Sequence, residues 1–329
     1  MRPRRSRRRR WAATLPHKPT PGAGPVRGIA TGLLVVLLGG CAVVPSAPQG
    51  DRTPPVGAPT TVRPALPQPA RPSASTGFDY AGSRMQGGLL LGTAPDHTRQ
   101  LLFNGVAVPV AADGRFVIAF DRDAGPSATL AATRDDGVVI RDTLSIAPRA
   151  WDISRLSTLP KIPLPQPEFD AVRPAELAQI VAARRIQTDA QGWRQAFVWP
   201  TTGRISTLFG SQRIYRNGEA GSYHSGLDVA KPTGSVIVAP ADGVVILAAD
   251  HPFTLEGNLL MIDHGMGLNS AFLHLSAIQV HVGDHVRRGQ PIALSGATGR
   301  ATGPHLHWSL RWRDAKIDPL LVAGPMPAQ

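Results

Sequence analysis

The chain has 329 residues, 42% hydrophobic, 18% charged and 5% aromatic, which excludes a fibre or a wholly disordered chain and leaves room for about two compact units. The formal charge is +12, but nine basic side chains and no acid fall in residues 1–40, so the remainder carries only +3 and no nucleic-acid partner is expected. A single cysteine excludes an intrachain disulfide and thiolate-rich zinc or iron–sulfur sites, so any metal must be held by His or carboxylate.

In chain order, Met1 to Gly28 is Arg-rich, Ile29 to Leu38 is a short apolar run, and Gly39 and Gly40 precede Cys41. This is the layout of an export signal over residues 1–40, and about ten apolar residues are too few to span a bilayer. Leu38-Gly39-Gly40-Cys41 resembles the bacterial lipobox, which implies lipidation of Cys41 and a membrane anchor there. An ordinary secretory signal with a chance cysteine is the alternative. Lipobox sorting at Ala42, in a cell with two membranes, implies a lipoprotein of the outer membrane facing the periplasm. Residues 41–77 hold nine prolines among small and polar residues and read as a disordered, partly polyproline tether.

Residues 78–150 read as a small antiparallel β-sandwich. Strands are expected at Leu101–Phe103, Val106–Val110, Arg115–Phe120, Ala128–Ala132 and Val138–Ile146, with two-residue hairpins at Asn104-Gly105, Asp113-Gly114 and Asp136-Gly137. His97 stands alone there, so a spacer or binding module is expected rather than an enzyme. Residues 151–197 form a linker stiffened by Pro160, Pro163, Pro165 and Pro167. It contains one amphipathic helix over Pro174–Gln187, with Leu177, Ile180, Val181 and Ala183 at helical spacing. From Val198 to about residue 323 strands return at Ile205–Phe209, Gly226–Val229, Ser235–Val238, Val244–Ala248, Leu259–Ile262, Ser270–Leu275, Pro291–Leu294 and His305–Leu310, before a short tail over 324–329. The fold class is therefore mainly β.

Eight of the ten histidines lie in this last region. In His224-Ser-Gly-Leu-Asp228 the imidazole and carboxylate would be about 13 Å apart on a straight strand, so sharing one ion requires a bend, which Gly226 can supply. In His305-Leu-His307 two imidazoles share one strand face about 7 Å apart. Phe272-Leu-His274-Leu275 presents one imidazole from an apolar frame. His224, Asp228 and His307 together offer the His₂–carboxylate set that leaves an open position for water on Zn²⁺. With no His-Glu-x-x-His helix and only four glutamates, the general base is expected among the histidines, with His305 and His274 available. His251, His264, His281 and His285 are expected to be structural, with His264 in a β-turn and His281 and His285 flanking Gly283 in a hairpin.

Residues 199–319 resemble the LytM-type, lysostaphin-like M23 metallopeptidases, which cleave peptides of bacterial peptidoglycan. The resemblance runs through Trp199-Pro200, Phe209-Gly210, His224-Ser-Gly-Leu-Asp228, Ala239-Pro-Ala-Asp-Gly243, Ile262-Asp-His-Gly265, Phe272-Leu-His-Leu-Ser276, Gly283-Asp284, Gly289-Gln290 and Thr298-Gly-Arg-Ala-Thr-Gly-Pro-His-Leu-His307. It implies a LytM-like antiparallel β-sheet domain, zinc on His224, Asp228 and His307, and catalytic roles for His274 and His305. Phe272 stands where many members have Tyr, and Trp308-Ser309 where Phe-Glu is common. Tyr215 and Tyr223 are candidates for a tyrosine that some relatives place upstream of the first ligand.

The implied reaction is hydrolysis of an amide in a peptidoglycan stem peptide or cross-bridge. His305 would orient or deprotonate water, and His274 would donate a hydrogen bond to the tetrahedral oxyanion. Cell-division or envelope proteins are conceivable partners. The rival reading is a non-catalytic LytM-like lipoprotein that activates cell-wall amidases.

Overall fold

The structure, a computed structural model, describes residues 76–155, 167–216 and 218–327. The expected export signal, the expected tether as far as residue 75, Cys41, Pro160, Pro163 and Pro165 lie outside these. The first seven strands are β1 (Asp79–Gly82), β2 (Leu89–Thr93), β3 (Thr98–Phe103), β4 (Val106–Val108), β5 (Arg115–Ala119), β6 (Ser127–Arg134) and β7 (Val139–Ser145). They form two antiparallel sheets in the orders β1-β2-β5 and β4-β3-β6-β7. Alternating side chains meet in one core, with Leu90, Phe116 and Ile118 from the first sheet and Leu101, Ala128, Leu130, Ala132 and Leu144 from the second.

The three Gly turns differ in what they do. Asn104 (φ 48°) and Gly105 (φ 80°) both take the left-handed conformation, so this turn closes β3 onto β4 as a two-residue hairpin. At Asp136-Gly137 only the glycine is left-handed, and Arg134 N–H bonds to Val138 O in a longer connection. Asp113-Gly114 is a turn but not a hairpin: it carries the chain from the four-stranded sheet to the three-stranded one, where β5 completes its ladder with β2 from Leu89↔Ala119 to Thr93↔Arg115.

Strand β8 (Ile153–Arg155) leads towards helix α1 (Pro167–Arg185). The helix begins seven residues before the expected start, at Pro167, where proline's missing N–H costs nothing. Pro174 therefore lies in its interior. Its buried face is Glu176, Ile180 and Ala183, while Leu177 and Val181 remain 44% and 45% exposed. Tertiary pairing explains the departure from the apolar pattern: Glu176 accepts from the Thr254 N–H (2.6 Å) and hydroxyl (2.6 Å), and Arg173 grips Glu256 with two bonds of 2.6 and 2.7 Å.

The remaining elements are β9 (Arg204–Thr207), β10 (Gln212–Ile214), β11 (Leu227–Ala230), β12 (Val236–Val238), β13 (Gly243–Ala248), β14 (Asn258–Asp263), β15 (Leu268–Leu275), β16 (Ala277–Ile278), β17 (His285–Val286), β18 (Pro291–Leu294), β19 (His305–Trp312), β20 (Ala315–Ile317) and α2 (Pro319–Ala323). An antiparallel sheet runs β17-β13-β14-β15-β19-β11-β9, with β20 also beside β19. A smaller sheet is ordered β12-β18-β16, and β8 pairs parallel with β10. The central strands read as unbroken apolar runs because both faces are covered. Leu260, Ile262, Phe272, Leu306, Trp308 and Leu310 enter the main core, whereas Leu259, Met261 and Ala271 pack under Ile180 and Ala183 of α1.

The sandwich is fastened to this region through Arg122, which is 6% exposed. Its Nε donates to Gly210 O (3.1 Å), another nitrogen donates to Gln212 Oε1 (3.2 Å), and the guanidinium lies against the rings of Trp151 and Tyr223. Tyr223 in turn donates its hydroxyl to Asp121 (3.1 Å). Replacing Arg122 by Met should remove these bonds and cost about 2 kcal/mol in urea unfolding. Unchanged stability would show that the sandwich does not brace the 208–224 segment.

Candidate metal centre and active site

Strand pairing places the candidate ligands. In the β11–β19 ladder Asp228 lies directly opposite His307, and Ala230 opposite His305. On the other side of β19, Leu273 pairs with His307 and brings His274 alongside. His224 precedes β11 and is tied to Gly210 and Ser211 by His224 O and N–H (2.9 and 2.8 Å). The bend anticipated between His224 and Asp228 is present. Gly226 is required for space rather than for a left-handed backbone, since a Cβ there would stand 2.5 Å from Trp308 O and 2.6 Å from His307 Nε2.

Three atoms converge. His224 Nε2 is 3.0 Å from Asp228 Oδ1 and 2.9 Å from His307 Nδ1, and His307 Nδ1 is 2.9 Å from Asp228 Oδ1. His224 Nδ1 faces the carbonyl of Leu208 at 3.1 Å, so it carries the proton and leaves a lone pair on Nε2. Burial holds the His307 imidazole below its ordinary pKa, although the neighbouring carboxylate opposes this. For Asp228, burial works against ionisation, but the two imidazoles beside it, His224 and His307, outweigh this and hold the carboxyl below the usual range. A His224 lone pair, a carboxylate and His307 Nδ1 thus face one point. Without a proton or cation between them such groups repel, and their spacing is close to the roughly 3.3 Å edge of a tetrahedron with 2.0–2.1 Å metal bonds. The donor set fits a divalent ion, and the three residues form the metal-competent cluster found among the described residues.

His274 and His305 lie beside this triangle, with ring centroids 4.8 Å apart and His274 6.2 Å from His307. Each commits Nδ1–H to a backbone carbonyl at 2.8 Å, His274 to Thr298 and His305 to Gly303, leaving Nε2 as the outward nitrogen. His305 Nε2 is 3.8 Å from Asp228 Oδ1. His274 has φ 62°, a conformation that turns it out of the ladder and that non-glycine residues seldom adopt away from functional sites. Burial lowers its pKa to about 4. Its N–H donates to Glu256 O (2.8 Å), so the Arg173–Glu256 pair links α1 to the backbone that sets this ring.

Of the departures from the family pattern, Phe272 and Trp308 point into the core on the face opposite the candidate ligands, Trp308 edge-on to Trp199 at 5.8 Å, whereas Ser309 shares the face of His307. The Tyr223 hydroxyl is committed to Asp121, and Tyr215 lies against Gly221. Sequence reasoning missed the carbonyls of Leu208, Thr298 and Gly303, which orient three of the rings and leave no side-chain trace.

A mainly β domain holding two imidazoles and a carboxylate in a cation-sized triangle, with two more imidazoles beside it, has the construction of a metal-dependent hydrolase. The profile of peptidase family M23 matches residues 222–319. A crystal structure of a putative M23 peptidase from Pseudomonas aeruginosa is 30% identical, covers 74% of this chain and 96% of its own, and superimposes with a TM-score of 0.57. The chain belongs to peptidase family M23. It is also 41% identical over 123 residues to the peptidoglycan DD-endopeptidase ShyA of Vibrio cholerae (37% of this chain, 28% of ShyA). A third similarity is to the DD-carboxypeptidase/endopeptidase Mpg of Neisseria gonorrhoeae, 39% identical over 124 residues (38% of this chain, 28% of Mpg). The chain thus spans about a quarter of the length of these curated relatives.

Of the other histidines, His264 is fully buried rather than in the turn itself. Its Nδ1–H donates to Asp242 O and its Nε2 accepts from the Ser270 hydroxyl, both at 2.8 Å, with Phe197 edge-on. His281 and His285 do flank Gly283, but β16 and β17 belong to different sheets, so no hairpin joins them. Burial lowers the His264 pKa from 6.5 to about 4. The unfolded chain takes up its proton below about 6.5 and the folded chain only below about 4. Stability is therefore full above the first value and falls as pH drops towards the second, by about 3 kcal/mol from this group. Urea unfolding at pH 7 and pH 4 should show this loss in the native chain and a smaller one in His264→Gln; identical losses would exclude His264 as a source.

Proposed function

We propose that the protein is a zinc metalloendopeptidase hydrolysing peptide bonds in peptidoglycan stem peptides or cross-bridges. The observation that carries this reading is the triangle of His224 Nε2, Asp228 Oδ1 and His307 Nδ1, closed at 2.9–3.0 Å, with the His224 tautomer set by Leu208 O. These residues would hold Zn²⁺, which when bound supplies a Lewis acid and lowers the pKa of water from about 15.7 to about 7. The names of ShyA and Mpg support peptidoglycan as substrate, and a cell-envelope location follows from that substrate. No helix among the described residues is long and apolar enough to cross a membrane. Attachment through a lipid at Cys41, on the periplasmic side of the outer membrane, remains part of the proposal.

The ring nitrogens assign the proton steps. His305 and His274 both present Nε2 as an acceptor while neutral, because both Nδ1–H groups are used on carbonyls. His305 Nε2, the nearer to Asp228, takes the proton from the attacking water. The proton taken up by His305 Nε2 leaves on the departing amine, which returns His305 to its neutral form. His274, whose Nδ1–H is used on Thr298 O, meets the substrate as an acceptor at Nε2 and donates to the tetrahedral oxyanion only in its protonated form.

His307→Ala should lose both zinc and hydrolysis of purified peptidoglycan. His305→Ala should retain one equivalent of zinc by atomic absorption and lose at least about 100-fold in kcat. Equal zinc loss in both variants would overturn the division of roles. A native chain that purifies without zinc and cleaves nothing would favour the amidase-activator reading.

A further inference from the structure

The face of β19 that carries His305 and His307 continues through Ser309 to Arg311, because alternate side chains share a face, and Arg311 lies about 13 Å beyond His307. Arg311 is opposite Lys316 of β20 and, on the other side, Asn269 of β15. Helix α1, packed on Ala271 of β15, brings Arg184 of its last turn to the same place. Burial lowers the Arg184 pKa to about 10, and the charge of Arg311 adds to this; Lys316 is lowered by the same two causes in the same order.

Glu256 and Asp314 act on Arg184, and Asp121 and Asp123 on Lys316, only from beyond ion-pair distance. Among the described residues no carboxylate lies within the 4.0 Å of an ion pair to any of these three cations. The acids around them are otherwise engaged: Asp121 accepts from the Tyr223 hydroxyl and the Lys316 backbone N–H, Asp123 pairs with Arg122, and Glu256 pairs with Arg173. Asp314 offers Arg311 only its backbone carbonyl, at 3.2 Å. Lys316 Nζ sits 4.2 Å from the Tyr223 ring centroid, a contact that supplies no hydrogen-bond acceptor. Nε of Arg184 and Nε of Arg311 are both buried without a partner. A helix C-terminus favours one basic residue, but it explains neither Arg311 nor Lys316, nor two orphaned buried donors.

We propose that Arg184, Arg311 and Lys316 form an anion subsite on the face of β19 beyond His307, and that it binds a free carboxylate of the peptide substrate about four extended residues from the bond cleaved. The substrate half of this proposal rests on the peptidase reading above; the anion site itself does not. An extended peptide crossing the candidate centre would place its charged end where two planar guanidinium groups and an ammonium converge, the geometry that selects carboxylates or phosphates.

The test follows the Nε–H resonances of Arg184 and Arg311 in the ¹⁵N-labelled, zinc-loaded full chain, assigned through R184K and R311K. Succinate should move both resonances together and saturably, with sodium chloride as the ionic-strength control. No movement overturns the subsite, and movement with inorganic phosphate alone overturns the carboxylate assignment. In parallel, R311Q should raise KM about tenfold for cross-linked stem peptides with free carboxylates, leave kcat unchanged, and leave amidated peptides unaffected. Equal effects on both substrates overturn substrate recognition. Relief of like-charge repulsion should leave the melting temperature of R311Q equal or higher; if it falls, R184Q replaces it in the kinetic comparison. A chain that cleaves neither peptide would sink the peptidase reading, while the resonance shifts would still decide the anion site.

Discussion

The centre of this molecule is an arrangement that is unfavourable by itself: two imidazole nitrogens and a carboxylate oxygen held within 3.0 Å of one another. Polypeptide folding seldom gathers acceptors without a donor among them, because each loses hydration and repels the others. Their approach is sustained by rigid supports on three sides. The β11–β19 register sets Asp228 against His307, Leu208 O fixes the His224 tautomer, and the close passage of Gly226 lets both chains reach the same point. A divalent cation turns the shared repulsion into shared attraction, which is why the protonation state matters as much as the distances.

The supports extend well beyond the matched family region. Arg122, from the sandwich, holds Gly210 and Gln212 in the segment that leads to His224, and Asp121 holds Tyr223 beside it. From the opposite side, Arg173 and Glu176 of α1 hold Glu256 and Thr254, whose loop receives the His274 N–H. The two elements with the weakest chemical signature in the sequence, the sandwich and the helix, thus brace the two sides of the centre. Through these bonds the sandwich supports the segment that carries His224.

The two faces of the large sheet divide the labour. One buries Leu306, Trp308 and Leu310 in the core and supplies stability. The other carries His305, His307, Ser309 and Arg311 in succession, so a single strand presents ring nitrogens at one end and an unpaired guanidinium at the other. The helix that covers part of that face contributes Arg184 to it, and polar chemistry there depends on α1 staying in place.

Much of this was legible in the chain. Alternation and Gly turns marked most strands, and His-x-x-x-Asp with His-x-His marked the side chains that the fold gathers into the candidate metal centre, because β periodicity and metal-donor chemistry leave their trace in residue types. Other features were not legible. The helix start at Pro167, the exposure of Leu177 and Val181, and the crossing at Asp113-Gly114 were decided by partners distant in sequence: Glu176 with Thr254, and β5 with β2. The orienting carbonyls of Leu208, Thr298 and Gly303 are backbone atoms that any residue possesses, and the Arg184–Arg311–Lys316 cluster joins three separate elements. Sequence alone determined which groups could do chemistry; only the tertiary structure decided which of them meet, and with which lone pairs exposed, because register and packing bring together atoms that no local pattern connects.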